Sequence, residues 1–302
     1  MRFSFWPSAS QPWDAVLEPC RHAEATGWDG LWIADHFMPF AGDVDEPMLE
    51  AWSTLTALAV AVPRVRLGTL VCGNTYRHPA VLANQAATAD VVAGGGRVVL
   101  GVGAGWQENE HTAYGIELGS VGWRLDRFEE ACEVLRSLLD ERRTDFTGEH
   151  YTMTDAPMEP KSGGDAPMPL LIGGGGEKRT LRITARFADE WNVWGDPEIM
   201  RHKNGVLDAH CEDLGRDPSE IERSAVALLF LSDDDDWLTK IRERDVGRPA
   251  IIGTPAELVE TVGEYVEAGV DELIVPDFTL RGGQQRLDTM DRFLTEVAAE
   301  FR

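Results

Sequence analysis

The chain has no run of 18 or more apolar residues, so no segment of it is suited to crossing a membrane as a helix. Basic residues are scarce: 28 Lys and Arg face 52 Asp and Glu, for a formal net charge of -24. That surplus repels nucleic-acid phosphates at long range, so nucleic acid is excluded as a partner and any bound anion must be held locally. Cysteine is limited to Cys20, Cys72, Cys132 and Cys211, with no CxxC pair. Such scattered thiols suit a reduced, cytoplasmic protein rather than a disulfide scaffold. Met1–Trp6 reads as a strand, not a leader. No His-x-His pair follows that strand, and His36, His78 and His111 lie too far apart to form a zinc motif, so no metal is expected. The run Asp233–Asp236 reads as a solvated loop.

Strands and helices alternate in strict order with no low-complexity linker, which makes residues 1–302 a single domain. Strands are expected at Arg2–Trp6, Trp28–Ala34, Val65–Cys72, Arg97–Val102, Leu170–Gly173, Glu190–Val193, Glu222–Leu231 and Asp271–Pro276. Helices are expected at Pro12–Thr26, Ala51–Val62, Pro79–Val92, Gly122–Leu139, Lys178–Phe187, Pro197–Leu214, Pro255–Ala268 and Leu287–Phe301. Eight such pairs define an α/β fold, the (β/α)8 TIM barrel, with an insertion at about residues 145–168 that is rich in Pro, Gly, Met and Asp. An open doubly wound sheet is the competing arrangement, but it places its glycine fingerprint after the first strand, where Ser4-Phe5-Trp6-Pro7 has none.

In a barrel the chemistry sits where strands end. The most telling of these ends is Gly173-Gly-Gly-Gly-Glu-Lys-Arg-Thr180, where a buried strand runs through four glycines towards a helix. Amides unshielded by Cβ at a helix start suit a phosphate, and Lys178 and Arg179 add positive charge. The run is not a P-loop, because Glu177 stands where that motif needs glycine. Other strand ends supply Trp6, Asp35, His36, Asn74, Gly103, Trp106, Asn109, Glu110 and Trp194, a set rich in aromatics and amides and poor in metal ligands. Asn109-Glu110 is half of a glycosidase pair, but the seventh strand brings no second carboxylate. Gly101-x-Gly-x-Gly105 reads as a strand whose backbone passes close to something flat, and Trp106 as either a core plug or a pocket wall.

Trp32-Ile-Ala-Asp-His-Phe37, Arg66-Leu-Gly-Thr-Leu-Val71, Tyr76-Arg-His-Pro79, Gly101-Val-Gly-Ala-Gly-Trp106 and Ile172-Gly-Gly-Gly-Gly-Glu-Lys-Arg-Thr180, in this order, resemble the luciferase-like monooxygenase superfamily. Within it they look closest to the coenzyme F420-dependent oxidoreductases. The resemblance implies a barrel that binds a deazaflavin at the strand ends, with a non-proline cis peptide at Leu70–Val71 or one bond later. It places Asp35, His36, Leu70, Val71, Cys72, Asn74, Gly103 and Asn109 around the ring. Gly173, Gly174, Gly175, Gly176, Lys178 and Arg179 then hold the tail phosphate. Trp6, Trp106, Glu110 and Trp194 line the substrate pocket. The sugar-phosphate branch carries a glutamate where this chain has Trp106, which argues against a sugar phosphate as substrate.

The resulting expectation is hydride transfer between the deazaflavin and a small organic substrate, with His36 moving a proton and Asp35 orienting it. The alternative on the same fold is an FMN-dependent monooxygenase that uses reduced flavin and oxygen. A non-catalytic carrier of flavin or deazaflavin is a third reading. The resemblance further suggests a homodimer, and a separate reductase if the cofactor is recycled.

Overall fold

The computed structural model describes residues 1–302 except Ala41 and Asp165, so the expected insertion is described without Asp165. Eight parallel strands close into a barrel: β1 (Arg2–Trp6), β2 (Gly30–Ile33), β3 (Arg66–Thr69), β4 (Val98–Gly103), β5 (Leu170–Gly173), β6 (Glu190–Trp194), β7 (Glu222–Val226) and β8 (Glu272–Pro276). Their order is 3-2-1-8-7-6-5-4, and β3 pairs with β4 through Leu67–Val98 and Gly68–Val99 to close the ring. The ends of the chain meet at the β1–β8 seam, where Arg2 registers with Glu272.

The outer ring is α1 (Trp13–Thr26), α2 (Ala51–Ala61), α3 (Pro79–Val92), α4 (Glu108–Tyr114), α5 (Val121–Asp140), α6 (Thr180–Phe187), α7 (Pro197–Leu214), α8 (Asp235–Arg242), α9 (Pro255–Glu267) and α10 (Gln284–Glu296). Buried Leu, Val, Ala and aromatic side chains fill the space between helices and strands. A smaller apolar cluster that includes Trp32, Val99, Leu171, Val226 and Ile274 fills the barrel itself.

Two expectations about the elements need correction. The seventh strand is not one element: β7 stops at Val226, and Leu228–Leu231 leaves the barrel to pair in parallel with Ala250–Gly253. The continuous apolar run hid that break. The acidic run is not a free loop either, because Asp234 caps the start of α8 and Asp233 pairs with Arg292 at 3.0 Å. Carboxylates at a helix start complement its dipole, which is why this run nucleates a helix. In the insertion, Thr144–Thr147 and Thr152–Ala156 form an antiparallel hairpin.

The third strand is interrupted at a cis Leu70–Val71 bond and resumes at Cys72–Gly73, which pairs with Val102 and Gly103 of β4. Its neighbours have to be glycine. A Cβ at Gly101 would lie 1.9 Å from the Thr69 carbonyl oxygen, and Cβ atoms at Gly103 and Gly173 would each lie 2.9 Å from Val71. The glycine spacing in β4 therefore serves close approach to β3, not a dinucleotide turn.

At the other end of the barrel, the strands' N-terminal ends hold a charge cluster that is buried at Glu190 and Glu272. Arg66 donates to Glu190 at 2.5 Å and to Glu272 at 3.1 Å, Trp32 Nε1 donates to Glu272 at 2.9 Å, and Arg2 pairs with Glu222. Burial pushes the Glu190 carboxyl up to about 7, with Glu272 and Glu222 adding to the rise and Arg66 opposing it. A carboxyl raised in the folded state contributes stability below its unfolded value of 4.5, and that contribution is lost as pH climbs through 7. Glu190→Gln should therefore gain melting temperature relative to the parent between pH 5 and pH 8. Parallel melting curves at the two pH values check this, and an unchanged difference would contradict it.

Candidate active site

A cavity of about 900 Å³ opens at the C-terminal ends of the strands, the end where barrel enzymes carry their sites. Its floor is Leu70, Val71, Gly103 and Gly173, with Cys72 beside them. Trp6, Trp194 and Phe278 form one aromatic wall, with Trp6 5.9 Å from Trp194 and 5.2 Å from Phe278. Phe40 and Trp106, 4.9 Å apart, form a second aromatic stretch of the lining, and Met38 and Met48 line the cavity as well. Trp106 is half exposed and lies against His36 at 5.6 Å, so of its two readings it is the pocket wall.

His36 lies on the loop after β2, and its Nδ1 is 2.8 Å from Glu110 Oε1. The same carboxylate accepts from the Phe37 amide at 2.7 Å and from the Tyr76 hydroxyl. Glu110 is fully buried. Burial alone would raise its carboxyl, but the hydrogen bonds from His36, Phe37 and Tyr76 outweigh burial and hold it below the usual carboxylate range. Tyr76 responds in the opposite sense: burial and Glu110 keep its hydroxyl protonated. An ionised carboxylate only accepts, so Nδ1 carries the proton of the His36–Glu110 bond. Among the described residues Nε2 has no partner, and His36 lines the cavity.

Asp35 does not orient His36, as was expected from its position in the sequence. It is buried and bound in two-pronged fashion by Arg77, at 2.6 and 3.0 Å, and Arg77 also reaches Glu50 at 2.7 Å. A planar guanidinium satisfies a buried carboxylate better than an imidazole can, so Asp35 is taken by the arginine on the loop after β3. Glu110 in turn stands behind His36 and does not line the pocket. It is turned inward by α4, an element missing from the sequence reading. Seven mostly polar residues gave no period, but Gly115, left-handed at φ 66°, marked the helix end.

The remaining expected residues divide in the same way. Trp6, Leu70, Val71, Cys72, Gly103, Gly173, Gly174 and Trp194 line the cavity. Asn109 does not; its Nδ2 donates to the Pro39 carbonyl at 3.0 Å and its Oδ1 accepts from the Glu110 amide at 2.9 Å. Asn74 is buried against Tyr151. Lys178 is exposed, and Arg179 pairs with Asp126 at 2.7 Å. The glycine run does not pass straight into a helix. Residues 177–179 form a turn, and α6 begins at Thr180. Lys203 of α7, absent from the sequence reading, holds this turn by donating to the Gly175 carbonyl at 2.9 Å and to Glu177 at 2.6 Å.

One strand end beside the cavity suits an anion. Gly173 and Gly174 line the cavity, and among the described residues the amides of Gly175 and Gly176, which follow them, have no acceptor; Gly174 holds φ 125°. Gln107 also lines the cavity and donates through Nε2 to the Met38 carbonyl at 2.9 Å, but its Oε1, without a partner among the described residues, is buried away from the open space. An apolar floor with free amides beyond one edge fits a planar heteroaromatic ring with an anionic tail.

Strand-end chemistry of this kind defines a barrel enzyme. The chain belongs to the luciferase-like monooxygenase family, whose model matches residues 1–238. It is 36% identical to the F420-dependent glucose-6-phosphate dehydrogenase of Nocardia farcinica, over 93% of this chain and 91% of that protein. It is 29% identical to the enzyme of the same name from Kineococcus radiotolerans, over 92% of this chain and 89% of that one. The F420-dependent tetrahydromethanopterin reductase of Methanopyrus kandleri superposes with a TM-score of 0.82, covering 100% of this chain and 99% of that one at 18% identity, a likeness of fold.

If Glu110 fixes the proton on Nδ1 of His36, then Glu110→Gln should lower turnover by about tenfold to a hundredfold. Cofactor affinity should stay within about twofold, because Glu110 lies outside the cavity wall. Steady-state kinetics alongside cofactor titration check the split, and equal losses in both would contradict it.

Proposed function

We propose that this protein is a coenzyme F420-dependent oxidoreductase acting on a small organic substrate bound over the cavity floor. The observation that carries this reading is the His36–Glu110 pair, which presents one free ring nitrogen to a cavity with an apolar floor. When bound, the deazaflavin supplies the two-electron hydride exchange. Leu70, Val71 and Gly103 would support its ring, and the free amides of Gly175 and Gly176 with Thr180 would hold its tail. Lys178 and Arg179 stay in the proposal only as long-range charge, since one is exposed and the other is paired.

His36 Nε2 handles the proton that accompanies the hydride, accepting it when the substrate is oxidised and returning it when the substrate is reduced. Glu110 stabilises the imidazolium formed in between. Trp106 and Phe40 screen the site from water. Asp35, pinned by Arg77, keeps the loop end in place. Titration of the purified protein with F420 and with FMN, read by tryptophan fluorescence, tests the assignment. Tight binding of F420 with FMN at least about a hundredfold weaker is expected. The reverse order would favour the FMN-dependent monooxygenase reading.

The proposal extends to assembly. Residues 1–302 act as one domain, supported by the pairing of β1 with β8. α2 carries no charged residue and α3 only the buried Asp90, yet Val60, Val81, Val91 and Val92 are exposed on them and the two helices pack side by side. An apolar face of this kind suits a second copy of the chain. The four free, buried cysteines agree with a reducing cytoplasm, where a separate reductase would recycle the cofactor. Light scattering should give twice the 33.3 kDa chain mass, and Val60→Asp with Val81→Asp should halve it. A monomeric parent would contradict the dimer.

A further inference from the structure

Besides the Cys72 thiol and the Tyr76 hydroxyl, three side chains with ionisable groups line the cavity: Asp35, His36 and Arg248. Asp35 is neutralised by Arg77, and His36 is tied to Glu110. Arg248 differs from both. It lies on the loop between α8 and the strand Ala250–Gly253, is exposed, and has no carboxylate partner among the described residues. Its guanidinium stands over the ring of Trp194, 5.0 Å from the centroid. Stacking on an aromatic face leaves the in-plane N–H groups free for an anion. In a chain of net charge -24, an unpaired arginine on a cavity wall leaves a local positive charge unanswered.

The surroundings of Arg248 narrow what answers it. Trp6, Trp194 and Phe278 form the wall beside it, and Met38, Phe40 and Met48 also line the cavity. These walls reward apolar surface and offer little to a ring of hydroxyl groups. The glycine cradle after β5 is a separate strand end, so a cofactor tail held there leaves Arg248 available.

We infer that Arg248 is a specificity residue, and that the substrate is a largely apolar molecule with one anionic group that docks on its guanidinium. Calling that ligand a substrate rests on the oxidoreductase reading above; the binding itself does not. Carboxylate and phosphate share the required chemistry, and the apolar walls favour a carboxylate on a hydrophobic body.

The test uses the cofactor-free protein and calorimetric titration with decanoate, decanol and glucose 6-phosphate. Decanoate should bind at least about tenfold more tightly than decanol, the difference expected of one charge-assisted contact. Arg248→Gln should abolish that preference while leaving decanol binding and F420 affinity unchanged. Equal affinity for decanoate and decanol, a preference that survives in Arg248→Gln, or tighter binding of glucose 6-phosphate would each overturn the inference. Loss of F420 affinity in Arg248→Gln would also overturn it, by giving Arg248 to the cofactor tail. Absent F420 binding in the parent, with the decanoate preference intact and dependent on Arg248, would support this site and sink the redox reading.

Discussion

Behind the cavity wall, one carboxylate gathers three strand ends. Glu110 takes hydrogen bonds from His36 and the Phe37 amide after β2 and from Tyr76 after β3, and it is itself carried on α4 after β4. Neighbouring side chains repeat the attachment, with Gln107 donating to the Met38 carbonyl and Asn109 to the Pro39 carbonyl. The long loop after β2 is thus fastened to α4 at successive residues. That fastening places His36, Met38 and Phe40 on one side of the cavity. A buried carboxylate without its donors is costly, so the three bonds hold geometry and ionisation together.

The charges inside the barrel are sorted by end. At the strand starts, Arg66 and Arg2 lie among Glu190, Glu222 and Glu272, tying β1, β3, β6, β7 and β8 together. At the strand ends, Asp35 and His36 line the cavity but are paired with partners behind its wall, Arg77 (itself bound to Glu50) and Glu110, and the floor is left to apolar side chains and glycine. Reactive groups are few there, and among the described residues the Nε2 of the lining His36 has no partner. An enzyme that borrows its redox chemistry needs little more from its side chains.

Much of the barrel was legible in the sequence. Arg2–Trp6, Leu170–Gly173, Pro79–Val92 and Pro197–Leu214 coincide with observed elements, because apolar runs and caps were sharp there. The cis bond at Leu70–Val71 came from family resemblance, and the glycines that accommodate Val71 explain the spacing in β4. What stayed hidden was pairing. Chain adjacency suggested Asp35 for His36, whereas the fold delivers Glu110, 74 residues away, and sends Arg77 to Asp35. Arg248 and Phe278 sit on segments without period, so their place on the cavity wall emerged only from the closed barrel.

Nitrogen-15 NMR of histidine-labelled protein, with the His36 signals assigned among seven histidines by His36→Gln, interrogates the site most directly. In its neutral form His36 should carry its proton on Nδ1, shared with Glu110, and leave Nε2 bare. A neutral imidazole with the proton on Nε2 would contradict the account, because an ionised Glu110 has no proton to give.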